Sequence, residues 1–85
     1  MKEIKFSLEF KPKAVKDLKR IPKDQIVKIL ENIEKLQFGL QGNIKHLTDF
    51  TPEYRLRVGN YRIPFEIEEK KIIIYRILHR KDAYK

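Results

Sequence analysis

Residues 54–67, YRLRVGNYRIPFEI, constrain the fold more than any other part of the chain. Two runs of alternating apolar and polar residues flank Gly59-Asn60, a pair that tolerates the positive φ of a tight hairpin turn. If those two residues form the turn, Val58 opposes Tyr61, Arg57 opposes Arg62, Leu56 opposes Ile63 and Arg55 opposes Pro64. Opposed residues share a face. Tyr54, Leu56, Val58, Tyr61, Ile63, Phe65 and Ile67 then form one apolar layer, and Arg55, Arg57 and Arg62 collect on the other side. Glu66 and Glu68 are on that side too, displaced along the strand, so they neutralise it only in part. Like charges opposed across a hairpin cost stability, so this arrangement points to an anion, and the arginine face reads as a phosphate-binding platform.

The rest of the chain supplies the layer that covers the apolar face. Ile4, Phe6, Leu8 and Phe10 alternate with polar residues as in a half-buried strand. Pro12 suits the first turn of a helix, with Ala14, Val15, Leu18 and Ile21 at helical spacing, and Pro22 ends that helix and opens a second. Asp24 favours the second helix's N-terminus, Ile26, Ile29, Leu30, Ile33 and Leu36 form its apolar stripe, and Gly39 caps it. Residues 40–44 read as a connection, residues 45–49 (KHLTD) as holding a short strand, and Thr51-Pro52-Glu53 as a turn. After Glu68-Glu69-Lys70, residues 71–79 (KIIIYRILH) form a final strand, apolar on both faces as an interior strand would be. The tail RKDAYK reads as too short for another element. The expected fold is α+β: an N-terminal strand and a helical hairpin packed on a twisted antiparallel sheet of about four strands. Residues 1–85 form a single domain.

Pro64 lacks an N–H, and in this register the gap faces the last strand, so a ladder bond is lost and a local bulge is expected. If Glu69-Lys70 is the turn, His79 emerges on the arginine face, and Arg80 and Tyr84 fold towards Arg62.

Charge supports the anion reading. Twenty Lys and Arg face twelve Asp and Glu, a net charge of +8 with a pI near 9.8. Such a surplus suits a polyanion. Five of the six arginines (Arg55, Arg57, Arg62, Arg76, Arg80) follow residue 54, and arginine's planar fork matches phosphate. There is no cysteine for a disulfide or thiolate metal site, no apolar run long enough to span a bilayer, and no signal-peptide pattern in MKEIKFSLEF. A cytoplasmic protein with no membrane association is expected.

With these motifs in hand, YRLRVGNYRIPFEIEEKKIIIYRILHRKDAY resembles the C-terminal half of the RelE/ParE toxin superfamily. There a hairpin R-x-R-x-G-x-Y-R precedes a strand ending in H-R-x-x-x-Y. The resemblance implies a toxin held by a cognate antitoxin, a small protein expected to be acidic given the +8 charge. In the RelE branch it implies ribosome-dependent endoribonuclease activity on mRNA in the A site, without metal or other cofactor. There the 2′-hydroxyl attacks the adjacent phosphate.

By position, Arg62 and Arg80 match the transition-state arginines, and Tyr84 matches a tyrosine that stacks on a base. Arg55 and Arg57 match positions that are lysines in the best-known branch, and His79 matches a histidine of many members. The implied phosphate-binding set is Arg55, Arg57, Arg62, Arg80 and Lys81. Arginine does not deprotonate in proteins, so Arg55 and Arg57 read as electrostatic clamps. His79 reads either as the proton-transfer group or as a strand-end residue bonded to backbone; His46 reads as structural. Two alternatives stand beside the ribonuclease: a ParE-like gyrase inhibitor without nuclease chemistry, and a non-catalytic nucleic-acid-binding module.

Overall fold

The computed structural model describes residues 3–47 and 51–83. In chain order these form strand β1 (Ser7–Phe10), helices α1 (Pro12–Leu18) and α2 (Lys23–Lys35), and a 3₁₀ turn at Leu36–Phe38. Strands β2 (Asn43–His46), β3 (Tyr54–Val58), β4 (Tyr61–Glu68), β5 (Lys71–Ile74) and β6 (Leu78–His79) follow, then the single turn α3 (Arg80–Ala83).

Local chemistry sets the helix limits. Pro12 starts α1 where a backbone N–H would have no helical partner anyway. The Pro22 carbonyl accepts the Gln25 and Ile26 N–H groups, each at 3.0 Å, and so opens α2. Asp24 in the first turn and Lys35 in the last complement the helix dipole. Gly39, at φ 127°, ends the 3₁₀ turn in a conformation that disfavours a side chain.

The sheet runs β1-β5-β4-β3-β2, with β6 on β4. Strands β2 to β5 are the antiparallel set expected from the sequence; β1 joins β5 in parallel at one edge. The hairpin has the expected register, with Val58 opposite Tyr61, Arg57 opposite Arg62, Leu56 opposite Ile63 and Arg55 opposite Pro64. Gly59 at φ 56° makes the turn. Ile29 and Ile33 on one side of α2 and Leu36 at the start of the 3₁₀ turn are fully buried with Ala14 of α1. They pack on Leu56, Ile63, Phe65, Ile72, Ile74 and Ile77 of the sheet. The helices therefore cover one sheet face.

Four local expectations need correction. The N-terminal strand is shorter than the alternation from Ile4 suggests: Ile4 is 65% exposed, and the Lys5 and Phe6 N–H groups bond instead to the Gln37 carbonyl. Strand β2 starts at Asn43, inside the stretch read as a connection. The tail forms the turn α3, begun by the Arg80 N–H donating to the Asn60 carbonyl at 2.6 Å. The final strand, expected unbroken over 71–79, divides into β5 and β6.

Pro64 explains the division. The Tyr75 N–H donates to the Pro64 carbonyl at 3.0 Å, but proline returns no bond. Upstream, Phe65 opposes Ile74; downstream, Arg62 opposes Leu78. Three steps on β4 thus match four on the last strand, and Arg76 and Ile77 together face Ile63. That is a β-bulge, as the missing donor implied. One extra residue reverses the sidedness of everything after it.

Candidate nucleic-acid interface

On the sheet face away from the helices, strand register arranges side chains in rows. Asn43, Arg57, Arg62 and Leu78 make one row across β2, β3, β4 and β6. The next row holds Lys45, Arg55 and Pro64. Tyr75, bonded to Pro64, extends it. The row after that is acidic at both ends: Glu9 and Glu66 flank Ile73. Arg57, Arg62, Arg55 and Lys45 therefore gather towards the hairpin end of this face, and beyond the acids Lys71 pairs with Glu9.

Within this patch each arginine has a different setting. Arg62 is only 6% exposed, with Nη1 donating to the carbonyls of Gly59 at 2.9 Å and Tyr61 at 3.1 Å. Its guanidinium is fixed by the turn that the sequence places beside it. Arg57, directly opposite, is exposed, and Arg55 is half-buried. Arg80 and Lys81 are exposed on α3, which the Arg80–Asn60 backbone bond ties to the hairpin turn. Tyr84 lies outside the described residues. The fold thus brings Arg55, Arg57 and Arg62 onto one face and links the segment bearing Arg80 to its turn.

His79 departs from expectation. Glu69, at φ 56°, does make the β4–β5 turn. Because of the bulge, however, His79 opposes Tyr61 rather than Asn60, on the helix side of the sheet. Its ring meets Tyr61 edge-on with centroids 5.5 Å apart, and its Nδ1 accepts the Lys81 N–H at 3.3 Å. There it borders a cleft of about 410 Å³ lined also by Asp17, Arg20, Ile21, Tyr61 and Asp82. His46, also on the helix side, sits 5.0 Å from the Tyr54 ring.

Two groups were not legible beforehand. Lys45 joins the basic row because β2 extends it beside Arg55; the alternation of Ile44 with its polar neighbours was the available signal. Asp17 of α1 accepts Arg76 Nε at 2.8 Å, Arg76 Nη2 at 3.0 Å and the Ile77 N–H at 2.9 Å. It thus supplies the acceptor that the bulge takes out of the ladder. Burial pushes the Asp17 carboxyl up, but the Arg76 and Ile77 hydrogen bonds and the charges of Arg76 and Arg20 outweigh it and hold it below the usual carboxylate range. The same hydrogen bond raises Arg76. No local pattern announces a contact 59 residues long.

Comparison with known proteins gives a consistent set of matches. Residues 8–84 match the family described as "ParE toxin of type II toxin-antitoxin system, parDE". Toxin RelE3 of Methanocaldococcus jannaschii is 41% identical over 75 residues, covering 82% of this chain and 85% of that protein. The RelB-RelE antitoxin-toxin complex from Methanococcus jannaschii contains a chain of 39% identity with TM-score 0.77, covering 89% of this chain and 94% of that one. The archaeal RelE-RelB complex from Pyrococcus horikoshii OT3 matches at TM-score 0.77 and 24% identity, over 94% of this chain and 100% of that one.

Proposed function

Because the chain belongs to the RelE/ParE superfamily of type II toxin–antitoxin toxins, we propose that it is a ribosome-dependent, metal-independent endoribonuclease acting on mRNA in the A site. The reading is carried by the directly opposed pair of exposed Arg57 and buried Arg62 on the face away from the helices, with Arg55 beside it. In the reaction the 2′-oxygen loses its proton and bonds to phosphorus, and the bond to the 5′-oxygen breaks. The leaving oxygen is protonated, giving a 2′,3′-cyclic phosphate and a 5′-hydroxyl. Charge accumulates on the phosphorane oxygens, and fixed guanidinium groups stabilise it without reorganising at the moment of reaction.

Arg62, held by two backbone carbonyls, is the preorganised donor. Exposed Arg57 and half-buried Arg55 clamp the entering phosphate, with Arg80 and Lys81 contributing from α3. Tyr84 stacks on a base, as the family motif implies. Proton transfer is not assigned to His79, whose ring packs on Tyr61 on the other side. The partners are the ribosome, mRNA and a small acidic antitoxin, and the site of action is the cytoplasm. RelB bound to RelE in the matched complexes supports the antitoxin.

Purified protein added to an in vitro translation reaction should cut mRNA at A-site codons, read by primer extension, and leave free RNA almost intact. Arg62→Ala should lower the rate about 100-fold or more. Absence of ribosome-dependent cleavage by folded protein would remove this reading.

Two observations favour a second reading. The two carbonyls that hold Arg62 give it a structural task that needs no RNA, and the matching family is described as ParE. A gyrase inhibitor without nuclease chemistry would block DNA supercoiling and leave mRNA ends unchanged.

A further inference from the structure

The basic row on the sheet does not stop at Pro64. Tyr75 stands directly opposite it through the 3.0 Å bond to the Pro64 carbonyl. Beyond Tyr75, the Lys11 N–H bonds to the Ile74 carbonyl at 2.9 Å and Lys11 Nζ lies 5.1 Å from the Tyr75 ring centroid. The row therefore reads Lys45, Arg55, Pro64, Tyr75, Lys11. It has cations at both ends and an apolar, aromatic centre. Beside it opens a groove of about 540 Å³ lined by Lys11, Pro12, Lys13, Tyr75 and Arg76. Arg76 is already paired with Asp17, so Lys11 and Lys13, both exposed, set the charge of the rim.

From this row we infer that Tyr75 and Pro64 form a stacking platform for a nucleobase of single-stranded RNA, with Lys11 and Lys13 holding the adjacent phosphate. The inference rests on the RNA-binding part of the reading above and adds a subsite to it. Half-buried Tyr75 offers a ring already attractive to a cation. Aromatic faces interleaved with cations suit unpaired bases whatever their sequence. Two strand spacings separate Arg55 from Tyr75, about 10 Å, so neighbouring nucleotides reach both. A base arriving on the ring displaces Lys11 towards its own phosphate and replaces a cation–π contact with a stack and an ion pair. The acidic row beyond works against a strand crossing there. Glu66 also accepts the Glu53 N–H, and Glu9 pairs with Lys71. The RNA path is thereby directed along the basic row.

The test is an NMR titration of the full chain with a 2′-O-methyl trinucleotide, which the enzyme cannot cleave. Resonances of the Tyr75 ring, Lys11 and Arg57 should move along one saturation curve. Tyr75→Leu, which keeps apolar bulk, should weaken binding about tenfold, and Tyr75→Phe should leave it within about twofold. Lys11→Ala should weaken it and reduce the salt slope. If Arg55 and Arg57 respond while the Tyr75 ring does not, the platform is wrong and the parent reading survives. Silence at all of them also sinks the platform, while the parent reading stands or falls on the translation assay. Equal movement of the ring with inorganic triphosphate, or with an acidic antitoxin segment but not RNA, also overturns the platform. Should Tyr75→Leu fail to fold, the wild-type ring resonances and Lys11→Ala still decide the matter.

Discussion

Asp17 and Arg62 are polar residues that the fold encloses, and each has a specific stability signature. The Asp17 side chain is 12% exposed and accepts from both Arg76 and the Ile77 backbone. Asp17→Asn keeps an oxygen for Ile77 but removes the charge. It should cost about 1–2 kcal/mol, towards the low end because Arg76 is partly solvated, as measured by denaturant unfolding. The folded-state pKa of Asp17 is depressed, so its contribution is fully present above the unfolded value near 3.9 and is lost as pH falls through the folded value. Wild-type stability should therefore drop below about pH 4, and the drop should be smaller in Asp17→Asn. Arg62 and Arg57 separate structure from binding. Removing buried Arg62 leaves turn carbonyls without their donor and should lower both stability and activity. Removing exposed Arg57 should weaken anion binding while leaving the melting temperature within about 2 °C.

At the level of elements, the β3–β4 hairpin is the part its own sequence specifies most completely. Gly59 adopts φ 56°, and a Cβ there would meet nothing within 4 Å. Gly59→Ala should therefore cost only the left-handed backbone term, about 1 kcal/mol. For a domain of this size that is a fall of about 4–8 °C in melting temperature. Gly59→Asn should cost less, because asparagine tolerates that region. The helices were equally legible, since two prolines, Asp24 and an apolar stripe fix where they start and what they bury. The last strand was not. Alternation in KIIIYRILH reads as one continuous element, and Pro64 announced a missing donor but not the length of the detour. The bulge moved His79 to the helix side, and a carboxylate on α1 completes the bulge's hydrogen bonding.

Across the whole molecule, the sheet divides the core from a charged face. Helices cover one face, and the other carries two rows rich in Lys and Arg that end at Glu9 and Glu66. Binding to single-stranded polyanions should weaken steeply with salt, by about 0.7 in logarithmic slope for each phosphate neutralised. Lys45→Ala should reduce the slope by about one contact with little change in stability, measured by fluorescence anisotropy over a salt series. In the core, Ile33 is fully buried between the layers. Ile33→Ala should cost about 2–5 kcal/mol, a large part of the stability of an 85-residue domain, and should loosen both layers together.

By itself the sequence determined the helix starts, the hairpin register and the shared face of Arg55, Arg57 and Arg62. Each follows from side-chain periodicity and turn chemistry acting over a few residues. Tertiary structure alone decided that β1 lies parallel to β5, that His79 turns away from the arginines, that Asp17 holds Arg76, and that Tyr75 and Lys11 extend the basic row. Those outcomes depend on hydrogen bonds and packing between segments tens of residues apart, where periodicity in one segment carries no information about which partner it meets.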